Sequence, residues 1–155
     1  MTASVYAQHS HADAVDSVRS VFSGAINRKA FTDTNRVIFF SLKVAVKLGN
    51  NRVKISSIEV SDSIAYKIFE SFKFLSRINY KVFMGKQKSA TFVFPVAIFL
   101  SYPGKKETGL VSIKAVSGQL INYMFLKDGK DQLSPTYDYI YIPGLHIETS
   151  TLEDY

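Results

Sequence analysis

Arg36-Val37-Ile38-Phe39-Phe40-Ser41-Leu42-Lys43-Val44-Ala45-Val46-Lys47-Leu48 reads as one long β-strand. Val37, Phe39 and Ser41 alternate with Ile38, Phe40 and Leu42. Further on, Val44, Val46 and Leu48 point one way while Lys43 and Lys47 point the other. A period of two places successive side chains on opposite faces of a sheet. Gly49-Asn50-Asn51 then supplies residues that tolerate the backbone of a tight turn. Residues 52–60 are the candidate returning strand.

Working outward, Ser61 and Asp62 are good helix N-caps. Ile64, Ile68, Phe72 and Leu75 recur at spacings of 4, 4 and 3 residues, which is one face of a helix running to about Arg77. Beyond it, strands are expected at 78–84, 91–102, 110–116, 120–126 and 137–142. Gly85, Pro103-Gly104, Ser117-Gly118 and Asp128-Gly129 punctuate them. On the N-terminal side, Val15, Val18, Val21 and Phe22 have helical spacing over 13–22, with Gly24 placed to end the helix. Short, turn-linked strands predict antiparallel pairing. The expected architecture is α+β: an antiparallel sheet packed against two or three helices in a single domain over 12–150. A mobile tail is expected at 1–11 and an acidic tail at 151–155.

Composition narrows the function classes. The chain has 155 residues, 46% hydrophobic and 21% charged, enough to bury a core without staples. It has no cysteine, so disulfide scaffolds, thiolate zinc sites and cysteine nucleophiles are excluded. Residues 1–4 carry no basic, apolar leader pattern and residue 2 is Thr, so neither a secretory signal nor myristoylation is expected. The longest uncharged run, 89–104, contains Pro95 and Pro103. It is shorter than the roughly 20 residues of a spanning helix and suits strands.

Lys and Arg number 19 against 13 Asp and Glu, a net charge of +6. The charges cluster. Lys73, Arg77, Lys81, Lys86, Lys88, Lys105 and Lys106 lie in a stretch without an acid, and so do Arg36, Lys43, Lys47, Arg52 and Lys54. After Lys130 the sign reverses, with Asp131, Asp138, Glu148, Glu153 and Asp154. One reading is an ordinary solvated surface. The other is a basic face for a polyanion, with an acidic end that meets the basic middle of a neighbouring copy and builds polymers. Lys86, Lys88, Lys105, Lys106, Lys43 and Lys47 are the candidate residues for an anionic lipid or nucleocapsid.

Enzyme signatures are weak. His9 and His11 form an H-x-H pair, but no Cys or third His lies near them. His146 with Ser134 and Asp138 lacks a nucleophile elbow. Gly104-Lys105-Lys106-Glu107-Thr108-Gly109 is followed by Leu110, not by the Lys-Ser/Thr of a P-loop. The expectation is a non-enzyme without metal or cofactor.

Two binding patterns remain. Phe72-Lys73-Phe74 and Tyr80-Lys81-Val82-Phe83 interleave aromatics with lysines, as surfaces that stack bases and hold phosphates do. The run from Lys88 to Phe94 resembles the aromatic strand of RNA-recognition motifs without its glycines. Alternatively, Lys86, Lys88, Lys105 and Lys106 bracket the apolar run 92–100, a combination that suits an acidic membrane surface. A buried central strand is the default for that run.

The order of elements over 36–90 resembles that of rhabdovirus matrix proteins. The shared pattern is the strand with paired Phe39-Phe40 and alternating apolar and basic positions, then a turn and Ser61-Asp62 before an apolar helix. Ile78-Asn79-Tyr80-Lys81-Val82-Phe83-Met84 and a polar Gly/Lys/Ser loop follow. The resemblance implies a sheet with packed helices and a structural protein that bridges nucleocapsid to acidic membrane during assembly and budding. It implies partners in copies of itself, viral nucleoprotein and possible RNA, and a place at the inner face of an envelope or the host membrane periphery. By that analogy the N-terminal segment links subunits, making Val15, Val18 and Phe22 candidates for self-association. The Pro-Pro-x-Tyr motif and lysine-rich N-terminus of animal-virus members are absent from this chain. The smaller N-terminal region is more like that of plant-infecting members. The alternative is a single-stranded nucleic-acid-binding viral protein of movement or silencing type.

Overall fold

The computed structural model describes residues 3–30, 36–50, 52–101, 126–127, 130–131, 139–142 and 145–150, with side chains over 12–29, 37–50, 52–99, 139–142 and 145–148. The chain forms a single α+β domain, as its pattern predicts. Helix α1 (Ala3–Ser23) leads into strands β1 (Arg36–Gly49) and β2 (Arg52–Val60). Two short helices, α2 (Ala65–Ile68) and α3 (Lys81–Met84), flank a 3-10 helix at Phe72–Arg77. Strand β3 (Ser89–Ser101) follows. A two-residue ribbon, β4 (Leu126–Lys127) with β5 (Lys130–Asp131), stands apart from the sheet. The chain returns to the main sheet as β6 (Tyr139–Tyr141) and β7 (Leu145–Ser150).

The sheet is built on the expected hairpin. β1 pairs antiparallel with β2 on one side and with β3 on the other. The far edge of β3 is parallel: it pairs first with β6 and then with β7. The sheet is therefore antiparallel across β2-β1-β3 and mixed as a whole.

One face holds the main core. Ile38, Phe40, Leu42, Val44 and Val46 of β1 lie buried on the same side as Phe92, Phe94, Val96 and Ile98 of β3. Phe22 of α1 drops onto this face and contacts the rings of Phe69, Phe74 and Phe94 at 5.9, 5.1 and 5.4 Å. On the opposite face of β3, Val93 and Ala97 are also fully buried. Burial on both faces explains why this strand reads as a continuous apolar run.

Pro95 sits inside this central strand, where a missing N–H is normally not tolerated. Its partner across the β1 ladder is Ser41. Ser41 turns both backbone groups toward β2: its N–H donates to Ser61 Oγ at 2.7 Å, and its carbonyl accepts from Ser61 N–H at 2.9 Å. Ser41 and Pro95 thus form a non-hydrogen-bonded pair, and the Pro95 nitrogen faces away from β1. On that side β6 reaches only to Val93 and β7 begins at Val96. The proline lies, with Phe94, in the two-residue gap of β3 between those two pairings.

Several elements depart from the sequence reading. α1 starts at Ala3, so most of the stretch expected as a mobile tail is helical. Gly24 ends α1 as expected, its N–H donating to Ser20 O at 3.0 Å. The helix expected over 64–77 is broken: Phe69 is extended with φ −113 and Ser71 with φ −156. A single helical stripe cannot bury Ile68, Phe69, Phe74 and Leu75 together, and the break re-aims the second pair. Ser61 spends its hydroxyl on Ser41, while Asp62 Oδ1 accepts from Ile64 N–H at 2.8 Å and holds the turn into α2.

The strand expected at 78–84 is a turn followed by α3. Tyr80 and Met84 are buried one helical turn apart while Val82 is 46% exposed, so helical spacing overrides the apparent alternation. Of the expected C-terminal strands, 137–142 appears as β6, 120–126 is described only at Leu126, and 110–116 lies outside the described residues, as do 151–155. β7 was not expected.

Candidate functional site: a basic end of the sheet

The β1–β2 turn brings Lys47 directly opposite Lys54, so both ammonium groups rise from the same face. Like charges in such a pair repel and destabilise the ladder. Arg52 opens β2 beside them. Leu48 N–H donates to the Lys88 carbonyl at 2.7 Å, which pins the start of β3 to the same end. Lys86 is held by a tight turn. Gln87 N–H donates to Met84 O at 3.0 Å, and Gly85 has φ 57 and ψ −118. Those angles are the first central position of a type II′ turn, where only glycine is unstrained.

Lys47, Arg52, Lys54, Lys86 and Lys88 are all exposed, and among the described residues none of them forms an ion pair. Neither segment that supplies them contains an acid. Two apolar side chains stand out nearby: Leu48 is 41% exposed at the hairpin end and Val82 46% exposed on α3. A cleft of about 500 Å³ lined by Arg52, Val53, Tyr80 and Lys81 joins the start of β2 to α3.

The structure sorts the sequence candidates. Lys47, Lys86 and Lys88 come together. Lys43 does not join them, because it is bonded to Glu59 across the strands at 2.5 Å. Its charge is already compensated, and its side chain is only 21% exposed. Lys105 and Lys106 lie outside the described residues, as do Ser134 and Asp138. Val15, Val18 and Phe22 are buried in the chain's own core, so this apolar stripe is not a free surface for a second copy. Arg52 and Lys54 belong to the site although the sequence reading does not single them out as candidates. Their place one and three residues beyond Asn51, in the returning strand, was the signal for them.

The aromatic readings also resolve. Phe74, Tyr80, Phe92 and Phe94 are buried, and Phe72 and Phe83 pack against the same core. They pack against one another inside the core, edge-on as in Tyr80 on Phe92 at 4.9 Å or near-parallel as in Phe92 beside Phe94 at 6.0 Å, and present no stacking platform at the surface. Within the apolar run 92–100, residues 92–98 are buried in the central strand and unavailable to a membrane. His146 is exposed on β7, with its ring 6.3 Å from Phe99.

Among the described residues there is no cluster of three metal-ligating side chains, and no helix is long and apolar enough to cross a membrane. Compared with protein-family models, curated proteins and solved structures, the chain matches none.

Proposed function

We propose that this chain is a peripheral structural protein of matrix type, which docks on acidic membrane through the basic end of its sheet and assembles there with copies of itself. One observation carries the reading. Five exposed cations, none with an ion pair among the described residues, gather at the same end of the sheet as the exposed Leu48. Basic side chains attract an anionic leaflet, and a small apolar side chain entering the interface adds a second, independent signal. Each lysine near such a surface contributes about 1 kcal/mol. The membrane is favoured over single-stranded nucleic acid because the aromatics that would stack bases are in the core.

Self-assembly on this reading does not use the apolar face of α1. It uses charge: the basic end of one copy against the acidic C-terminal stretch of the next, where Glu148 is exposed on β7. Such a head-to-tail contact is heterologous and grows open polymers.

Flotation with phosphatidylserine vesicles against neutral vesicles tests the docking. The wild-type chain binds the acidic vesicles selectively. A Lys47→Glu, Lys54→Glu, Lys86→Glu variant loses on the order of a hundredfold in affinity, from about 1 kcal/mol per lysine. Equal flotation of that variant refutes the site. Sedimentation at rising salt tests the assembly: polymers that persist unchanged at high salt refute an electrostatic contact.

A further inference from the structure

A second basic site lies on the helical side of the molecule and shares no residue with the end of the sheet. After α1 the chain turns at Gly24 and makes a short 3-10 turn at Arg28–Ala30. Asn27 N–H donates to the carbonyl of Ile68 at 2.8 Å, which fastens this loop to the end of α2. Asn27 Oδ1 accepts from Lys29 N–H at 3.2 Å and sets the loop's curvature. The fastening brings residues 28–29 against the 3-10 helix at Phe72–Arg77, although more than forty residues separate them in the chain.

Between the two segments is a cleft of about 570 Å³. Its walls carry Arg28, Lys29, Lys73 and Arg77, with Glu70 as the only acid in the lining. All five are exposed, and none forms an ion pair among the described residues. The floor is Ile26 and Phe74, both buried. The fold therefore holds four cations around one concavity with a single counter-charge, and holds them on two segments tied together by a backbone bond. The volume falls within the range of small-ligand sites, roughly 300–1,000 Å³.

We propose that this cleft binds a small polyphosphate, such as the phosphate chain of a nucleotide or an inorganic oligophosphate. Two guanidinium forks recognise phosphoryl oxygens in bidentate fashion, and two ammonium groups add point charge. Four cations less one acid leave a surplus of three positive charges, which exceeds what one phosphate group neutralises and suits a chain of two or three. Phe74 is only 4% exposed, so no aromatic face is offered to a base. The phosphate chain is what the cleft reads.

Titration calorimetry with tripolyphosphate, with and without a nucleoside attached, tests this. One site per chain is expected, with tripolyphosphate and a nucleoside triphosphate binding alike. Arg28→Glu with Arg77→Glu, both on exposed positions, weakens binding at least about tenfold. Lys86→Glu with Lys88→Glu, at the end of the sheet, leaves it unchanged within about twofold, which also separates this site from membrane docking. Far-ultraviolet circular dichroism checks that each variant is folded. Lys73→Glu is a second single probe of the cleft, and it weakens binding as well. The proposal is overturned if the wild type binds no tripolyphosphate, if the two double variants weaken binding equally, or if only the nucleoside form binds.

Discussion

Replacing Tyr80 by Phe isolates a single buried oxygen. The ring is 2% exposed and packs on Phe92 at 4.9 Å and Phe94 at 6.5 Å. Its hydroxyl is buried without a hydrogen-bond partner. A hydroxyl taken out of water and left unpaired costs about 1–3 kcal/mol in proteins. Phe keeps the ring and removes that cost, so Tyr80→Phe is neutral to about 1 kcal/mol stabilising at neutral pH.

A second arm of the experiment uses pH. Burial pushes the Tyr80 phenol well above its ordinary value of 10.0. The folded state then holds the proton more tightly than the unfolded chain. Tyr80's contribution is fully present below the unfolded value and is lost as pH rises past it toward the folded one. By about pH 11, a tenfold excess of phenolate in the unfolded chain corresponds to about 1.4 kcal/mol. The advantage of Tyr80→Phe over wild type therefore widens by about that amount between about pH 8 and pH 11. Urea unfolding of both proteins at the two pH values measures it, since all other titrating groups are common to the pair. A loss of more than about 1 kcal/mol in the variant at neutral pH would mean that the hydroxyl has a partner, and a gap that stays constant with pH would refute its burial.

Three further substitutions probe the packing. Ser61→Ala leaves the Ser41 N–H without its acceptor and costs about 1–2 kcal/mol, whereas Ser41→Ala removes an unpartnered buried hydroxyl and is neutral or stabilising; the opposite order in denaturant midpoints would contradict the hydrogen-bond assignment. Phe22→Ala empties the centre of the aromatic cluster and costs about 3–5 kcal/mol by calorimetry, and an unchanged melting temperature would mean that α1 does not dock there. Gly85→Ala forces a side chain into φ 57 and lowers stability by about 1–2 kcal/mol; no change in the unfolding midpoint would exclude the type II′ turn.

The hairpin was legible because every second residue of β1 from Ile38 to Val46 is apolar and buried on one face. The end of the sheet was half legible. The acid-free surroundings of Lys47, Lys86 and Lys88 mark them in the sequence, but the cross-strand register that adds Lys54 and gives Lys43 to Glu59 is a tertiary fact. The broken helix was hidden because Ile64, Ile68, Phe72 and Leu75 do fit one stripe, while Phe69 and Phe74 need burial too. β7 was readable in principle, since Leu145 and Ile147 are buried between exposed His146 and Glu148. Its parallel direction was not, because no local pattern encodes which way a distant strand runs. The helical-side cleft was invisible for the same reason: tertiary contacts, the bond from Asn27 to Ile68 and the packing of Phe22 on Phe74, bring Arg28 near Arg77.

Pro95 has a consequence for the order in which the molecule assembles. β1, β2 and β3 are consecutive and antiparallel, whereas β6 and β7 return to β3 in parallel across the long stretch after Ser101. Pairings between distant segments close later than local ones. Until they close, the β6/β7 side of β3 is an open edge on a strongly apolar strand, the kind of template on which other chains add and aggregate. A proline whose nitrogen faces that side splits the edge into two short pieces, Ser89 to Phe94 and Val96 to Ser101. A gatekeeper so placed leaves the β1 ladder intact and interrupts only the side that waits.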